Sequence, residues 1–521
     1  MNIKVRRPNL EALNREVDAF IPQKNDNRPP IIGISANRKE GQTCIAETYV
    51  QAILKAGGAP VLIPVITDIE ALTVIIGNLD GLIMSGGGDI NPLYLDEEPI
   101  PQLQDADTYR DEYDLIILRL AMKVLVLNCG SSSIKYKLFD MSDRSVIAQG
   151  GIEKIGIEGS FLKLKDKDDN KITLDKDIPN HEVGIEFILS VLTDKTYGCI
   201  KDYKEIDAVG HRVVHGGEKF SQSVLLSEEV LQKVIECSEL APLHNPANLE
   251  GIEAMEKLLP GIPQVGVFDT AFHQTMPKKA YMYALPYELY TKYGIRRYGF
   301  HGTSHRYVSK RACEILGVKY EEQKIITAHI GNGGSLAAVL NGKCVDTSMG
   351  LTPTEGLVMG TRCGDIDPGA IPFIMKKEKL DADGLATLFN KKSGVFGLSG
   401  GSSDMRDIES AVGKGDEFAK MILDVYNYRI KKYIGAYAAA MNGVDILVWT
   451  GGVGENQWIT RRAVCENMEY MGMKLDIKKN EGLRSVEAII STPDSKVTVM
   501  VVPTDEELMI ASDTMDVLNK Q

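Results

Sequence analysis

The chain has 521 residues, 44% of them apolar and 25% charged, enough for about three domains with buried cores. Its 59 Lys and Arg against 72 Asp and Glu leave a net charge of −13, a field that repels polyanions and argues against nucleic-acid binding. A small anion is still admissible, because local arginines and glycine-rich loops override the global field within a Debye length. There is no run of about 18 apolar residues, the start MNIKVRRPNL has no apolar signal core, and the eight dispersed cysteines form no CxxC pair. These features predict a cytoplasmic protein with reduced thiols and no membrane partner.

Residues 1–30 read as a polar tail ending in NDNRPP. From there the pattern predicts strand 31–36, helix 44–57, strand 60–65, helix 68–77, strand 80–84 and a glycine turn at 85–88, which together make a βαβ module. Helix 108–121 then runs into MKVLVL, where a new strand begins at a methionine. Residues 122–521 therefore read as a unit of their own, joined to something upstream.

Within that unit VLVLNCGSSSIKYKLFD (124–140) and IITAHIGNGGSLAAVLNGKCVD (325–346) share one design of strand, Gly/Ser turn and strand. Each turn carries an asparagine, Asn128 or Asn332, and small residues that let backbone N–H groups approach a phosphate. Two such copies predict two similar domains with a nucleotide between their loops. A third turn, ILVWTGGVGEN (446–456), follows a buried strand. A lone glycine turn is most often a plain hairpin, and three in one unit favour the phosphate reading. None fits GxxxxGK[ST] or a GxGxxG opening a helix.

All eight histidines lie at or after His181, several inside glycine- and arginine-rich strings: GHRVVHGG (210–217), RRYGFHGTSH (296–305) and MGTRCGDIDPG (359–369). Guanidinium groups bind phosphate oxygens bidentately while backbone N–H groups close the cradle. Phosphoryl transfer depends on positioning and charge neutralisation, so Arg212, Arg362 and His301 are the candidates. The plainer alternative is that each forms an inter-strand ion pair or a helix cap. Asp269 and Glu506 follow apolar strands, where Mg²⁺ sites assemble from one or two carboxylates. Glu506 reads equally well as an ordinary helix N-terminal acid, because Thr504 and Glu507 form a capping-box pattern.

In order and spacing, NCGSSSIKYKLFD, GHRVVHGGEKF, APLHNPANLEGI, VFDTAFHQTMP, YGIRRYGFHGTSHRYV, LTPTEGLVMGTRCGDIDPG and SDMRD resemble the acetate kinase family across 122–521. The resemblance implies an α/β fold of two duplicated ribonuclease-H-like domains, the actin and sugar-kinase type. The first domain would span 122–272 plus about 508–521, and the second 273–507. The implied reaction is reversible transfer of the ATP γ-phosphoryl group to acetate, giving acetyl phosphate and ADP. Transfer would be direct and in line, with Mg²⁺ or, in its place, Mn²⁺. A homodimer and closure of the two domains are also implied.

By the same resemblance, Asn128 and Glu506 would hold the metal, with Ser131, Ser133 and Lys135 in the loop nearest the transferred group. Arg212 and Arg362 would bind acetyl phosphate, Asp269 would orient or polarise acetate, and His301 would stabilise the in-line transition state. ATP would lie against His329, Ile330, Gly331, Asn332 and Gly333, against Asp404, Met405 and Arg406, and against Gly452, Val453, Gly454, Glu455 and Asn456. His244 would line the site too. Val214, Leu243, Phe300 and Pro353 would form an apolar pocket with room for a methyl group. One methylene shifts binding by only about 1–3 kcal/mol, so propionate is expected to be a poorer substrate. Gly334, Gly401 and Gln457 depart from the commoner family pattern, each within a nucleotide loop.

The segment before 122 resembles something else. RPPIIGISANR, AGGAPVLIPV, LDGLIMSGGGDINPLY and RDEYDLIILRLA look like the front half of class I glutamine-amidotransferase-like γ-glutamyl hydrolases, a partial flavodoxin-like half-module at 31–121. That family uses a Cys-His-Glu set on later strands, and here the second segment begins before the nucleophile elbow. Cys44 is expected at a helix start, and residues 1–121 hold no histidine to activate it. A γ-glutamyl amide hydrolase is thus the rival that lacks its Cys-His pair, and a non-catalytic actin-like ATP-binding scaffold is the third reading. The half-module is expected to be silent and to leave one strand edge unpaired, docked on the kinase or on a second copy.

Overall fold

The computed structural model describes residues 29–39, 41–86, 107–165, 170–242 and 244–518. The chain divides into two compact units, Met1–Ala121 and Met122–Gln521. The predicted tail lies outside the described residues up to 28, as do residues 87 and 88 of the glycine turn.

In the first unit β1 (Ile31–Ser35) is followed by a short hairpin, β2 (Asn37–Lys39) and β3 (Gln42–Cys44), then by β4 (Ala59–Ile63) and β5 (Gly81–Ile83). β4, β1 and β5 pair in that order, all parallel. Helices Glu47–Lys55, Ile69–Ile76 and Thr108–Leu120 alternate with them, as the βαβ pattern predicts. Ile63, Leu72, Ile76, Tyr113 and Ile117 form the core. Tyr113 Oη donates to the Ile63 carbonyl at 2.7 Å and accepts from Ala36 N at 3.0 Å. The helix expected from 44 starts at Glu47 instead, and Cys44 ends β3, paired with Asn37. Among the described residues both β4 and β5 are sheet edges, where one free edge was expected.

The second unit carries two sheets built on one plan. The first holds β6 (Lys123–Gly130), β7 (Ser133–Asp140), β8 (Ser145–Glu153), β9 (Phe161–Lys165), β10 (Lys171–Asp175), β11 (Ala208–Val213), β12 (Val224–Leu225) and β13 (Gln264–Phe268). The second holds β14 (Lys324–Ile330), β15 (Gly334–Leu340), β16 (Lys343–Thr347), β17 (Ile446–Thr450), β18 (Ala488–Ile489) and β19 (Thr498–Val501). In the first, the β6–β7–β8 meander is extended by β11 parallel to β6 and β13 parallel to β11. In the second, β14–β15–β16 is extended by β17 parallel to β14 and β19 parallel to β17. This is the duplicated ribonuclease-H-like topology.

Both central strands are buried on two faces, so they read as continuous apolar runs with side chains alternating between cores. Leu125 and Leu127 face helices His181–Leu192 and Asn245–Leu258, whereas Val124 and Val126 face Ile510, Ala511 and Met515 of the C-terminal helix Glu506–Leu518. In the second sheet Ile326 and Ala328 face helix Glu417–Ala440, and Ile325 faces Val308 and Ala312 of helix Gly302–Leu316. Helix Glu506–Leu518 thus returns the chain to the first sheet of the second unit, against β6, β11 and β13. Its cap is Asp505, which accepts from Leu508 N at 3.1 Å. Thr504, expected to cap, is engaged with the Ser304 hydroxyl at 2.8 Å.

Candidate active site

The carboxyl ends of the parallel strands and the two hairpin turns carry the polar residues. Arg212 projects from β11 and Asp269 directly follows β13, the strand paired with it. Arg212 Nη2 lies 2.6 Å from Asp269 Oδ2 and Nε lies 3.0 Å from Oδ1, a bidentate pair around a carboxylate that is 1% exposed. Asp269 is fixed by its backbone as well, donating N–H to Val213 O at 3.0 Å and accepting from Gly302 N at 2.9 Å. Glu506 Oε2 lies 4.0 Å from Arg212 Nε. Burial pushes the Glu506 carboxyl up to about 7 against the pull of Arg212, and Asp269 and Glu507 add to the rise. Lys137 meets Asp505 at 3.2 Å and Glu507 at 3.1 Å, steadying the helix start that carries Glu506. Asn128, expected in the Gly/Ser turn, lies instead on β6 opposite Lys135 of β7, because the ladder continues to Gly130, and Ser131 opens the turn that leads to Ser133.

Three histidines pack behind this pair. His301, at φ 55°, sits in the left-handed region just before helix Gly302–Leu316, and its ring stacks on His329 at 4.3 Å. His301 Nδ1 lies 2.9 Å from Ser335 Oγ, and His329 Nδ1 lies 2.7 Å from Ser304 Oγ. Burial holds all of them neutral: His329 falls to about 4, and His301 and His305 fall well below the usual range, with neighbouring histidines adding to the effect. A Cβ at Gly333 would stand 3.3 Å from Arg362 Nη1 and 3.6 Å from His301 Nε2, so the Asn332–Gly333 turn, Arg362 and His301 converge. Arg362 Nη1 also donates to the Pro353 carbonyl at 3.3 Å. Half-buried His244 is lowered by burial first, and the Arg362 and Arg212 charges add to the fall.

Val214 packs against Phe300 in a small apolar cluster completed by Met349 and Met359, two residues the sequence did not single out. Leu243 lies outside the described residues.

Beside these groups lies a cavity of about 550 Å³. Gly331, Asn332, Asp404, Met405, Arg406, Gly452, Val453 and Asn456 line it, as expected of a nucleotide cleft. Gly360, Ser403, Glu409, Tyr426 and Arg484 line it too and were missed. Glu409 stands one helical turn after Met405, so the 3.6-residue period could have found it. Tyr426 and Arg484 come from distant segments and carry no local signal. Ile330 is packed in the core, and Glu455 is not among the residues lining the cavity, its carboxylate accepting from Gly451 N at 2.9 Å and Thr504 N at 3.2 Å. Gly454 is buried, its carbonyl accepting from Arg461 Nη1 at 2.8 Å. Of the three departures, a Cβ at Gly401 would meet nothing within 4 Å and one at Gly334 would make ordinary contact with Leu357 at 3.5 Å. Gln457 lines the cavity.

A family profile described as the acetokinase family matches residues 123–512, and one described as Peptidase C26 matches residues 30–126. The acetate kinase of Parabacteroides distasonis is 75% identical over 400 residues, which cover 77% of this chain and 100% of that protein. The crystal structure of Porphyromonas gingivalis acetate kinase superposes with a TM-score of 0.75 at 65% identity, covering 76% of this chain and 100% of that one. A propionate kinase from Francisella tularensis superposes with a TM-score of 0.70 at 41% identity, over 75% of this chain and 98% of its own. With a full-length relative matched at this identity and the profile spanning both sheets of the second unit, the chain belongs to the acetokinase family.

Proposed function

We propose that the chain transfers the γ-phosphoryl group of ATP reversibly to acetate, giving acetyl phosphate and ADP. The observation that carries the reading is the meeting of Arg212, Asp269, Arg362 and His301 beside a cavity lined by two of the glycine-rich turns, through Gly331 and Asn332 and through Gly452, Val453 and Asn456. Arg212 and Arg362 would bind the anionic substrate and neutralise charge on the equatorial phosphoryl oxygens. Asp269, held by Arg212, would orient the acetate carboxyl for in-line attack. Neutral His301 would donate to a transition-state oxygen from Nε2. Val214, Phe300 and Pro353, with Leu243, would enclose the methyl group, and His244 would lie at the same wall.

ATP would occupy the cavity against the loops of residues 329–333, 404–406 and 452–456. Ser131, Ser133 and Lys135 would face its phosphates. Mg²⁺ suits the hard oxygens of Asn128 and Glu506, since it keeps most of its waters and needs few protein ligands. A carboxyl raised by burial and then by neighbouring acids, as Glu506 is, is a place where added positive charge is favourable. Bound there with the nucleotide, the ion would neutralise phosphate charge, and Mn²⁺ would serve in its place.

Family membership supports a homodimer, a cytoplasmic enzyme, and closure of a domain of 122–272 plus the C-terminal helix onto one of 273–507. Among the described residues no helix is long and apolar enough to cross a membrane. The first unit has no histidine to activate Cys44, which supports a catalytically silent segment. The test is acyl phosphate formation, trapped as hydroxamate, from acetate, propionate or butyrate with MgATP. It is run on the full chain and on 122–521. Acetate-preferring activity in both is expected, and its absence from both would favour the ATP-binding scaffold.

A further inference from the structure

Behind His301 lies a chain of buried hydrogen bonds that the reaction as described above does not use. Ser335 Oγ stands 2.9 Å from His301 Nδ1 and 2.8 Å from His305 Nε2, and His305 Nδ1 stands 2.7 Å from Thr327 Oγ1. Ser335, His305 and Thr327 are all 0% exposed, so their polar atoms must be satisfied within the protein.

The chemistry of these groups allows two arrangements. A serine hydroxyl has one proton, so it donates to one imidazole and accepts from the other, and each neutral imidazole carries one N–H. Running one way, Thr327 donates to His305, His305 Nε2–H to Ser335, and Ser335 to His301 Nδ1, which leaves the His301 proton on Nε2. Running the other way, Nε2 keeps only a lone pair. His301 Nε2 faces the Gly333 backbone on the side where Arg362 Nη1 also approaches. An anionic phosphoryl oxygen between them needs donors from both, and only the first direction supplies them.

We infer that Ser335 is a positioning residue, which locks His301 in its Nε2–H tautomer with that proton aimed at the transferred phosphoryl group. The inference rests on the phosphoryl-transfer reading of this site. Cooperative polarisation along the chain strengthens the terminal donor, and the ring is held although its backbone is in the left-handed region.

The experiment joins a double-mutant cycle to a spectroscopic measurement. Ser335→Ala is expected to lower kcat by about 10- to 100-fold, the scale of a misaligned catalytic group, with the KM for MgATP nearly unchanged. Ser335→Thr, which keeps the hydroxyl, is expected to recover most of the loss. Adding Ser335→Ala to His301→Ala is expected to cost nothing further, because Ser335 acts through that ring. A purely structural serine would give additive losses, and additivity or an unchanged kcat overturns the assignment. Nitrogen-15 histidine spectra of the unmutated full chain test the same point without any variant: His301 protonated on Nδ1 overturns it. If the unmutated chain makes no acyl phosphate, the functional reading fails, while the spectra still decide the tautomer.

Discussion

The Arg212 guanidinium grips the Asp269 carboxylate through two nitrogens, at 2.6 and 3.0 Å, across the paired ends of two parallel strands. Glu506, 4.0 Å from the same guanidinium, is the first residue of the helix that closes the chain. One cation therefore ties residues far apart in sequence, and its removal would leave two acids in a buried site.

Arg212→Ala should accordingly fail twice. Loss of a donor aimed at developing charge costs about 10²–10³ in kcat, and an orphaned buried carboxylate costs about 3–5 kcal/mol of stability. Arg212→Lys should restore part of the stability and little of the rate, because an ammonium cannot make the bidentate contact. Steady-state kinetics and urea unfolding on the three proteins check both effects.

Gly360 gives a steric test of the cavity. A Cβ there would fall 1.9 Å from Asn332 Oδ1, and Gly360 N already donates to Asn332 O at 2.9 Å. Gly360→Ala must displace the Asn332 side chain and should raise the KM for ATP about tenfold, equivalent to about 1.4 kcal/mol. The KM for acetate should change little. An unchanged nucleotide KM would place ATP away from this wall.

The two hairpins, turning at Ser131 and at Asn332, were legible because each joins strands whose apolar runs announce burial on both faces, although Asn128, expected in its turn, lies on β6. Arg212, Arg362 and His301 were legible as polar groups inside glycine-rich strings, and Arg212 also forms, with Asp269 at the end of the paired strand, the ion pair that the plainer alternative expected. Tyr426, Arg484, Met349 and Met359 were not, since each reaches its place through packing between distant segments. Cys44 was misplaced at a helix start for a similar reason: its partner in β2 is Asn37, and helix Glu47–Lys55 begins without a side-chain cap at Ala46.

Acid should unfold the second unit through its buried histidines. His211, bonded to Gln264 Oε1 at 2.7 Å, and His273, bonded to the Phe300 carbonyl at 2.9 Å, are both pulled down to about 4 by burial. The unfolded chain takes up these protons near pH 6.5, and the folded chain resists them until about pH 4. The stabilisation is therefore complete above pH ~6.5 and is lost as pH falls toward ~4, by at most roughly 3 kcal/mol per histidine. Denaturant midpoints measured between those limits should fall steadily, and replacing His211 with Gln should flatten the slope.

In the first unit, Tyr113→Phe removes a fully buried hydroxyl that bridges Ala36 N and the Ile63 carbonyl. Stranding the two backbone groups should cost about 1–3 kcal/mol. Limited proteolysis should then cut residues 31–121 faster, while acyl phosphate formation stays at its original rate. A fall in activity would mean that the first unit is needed by the enzyme.

The apolar cluster at Val214, proposed to enclose the methyl group, gives the last prediction. Val214 packs on Phe300, Met349 and Met359, and Val214 N is held by Asn248 Oδ1 at 3.0 Å, so the backbone there is fixed while the side chain alone sets the depth. Val214→Ala should open space for about one further methylene, worth about 1–3 kcal/mol when filled. The ratio of propionate to acetate kcat/KM should rise about tenfold, with acetate itself weakened by lost contact. A ratio that does not move would show that the methyl group lies elsewhere, and Met349→Ala would then be the substitution to compare.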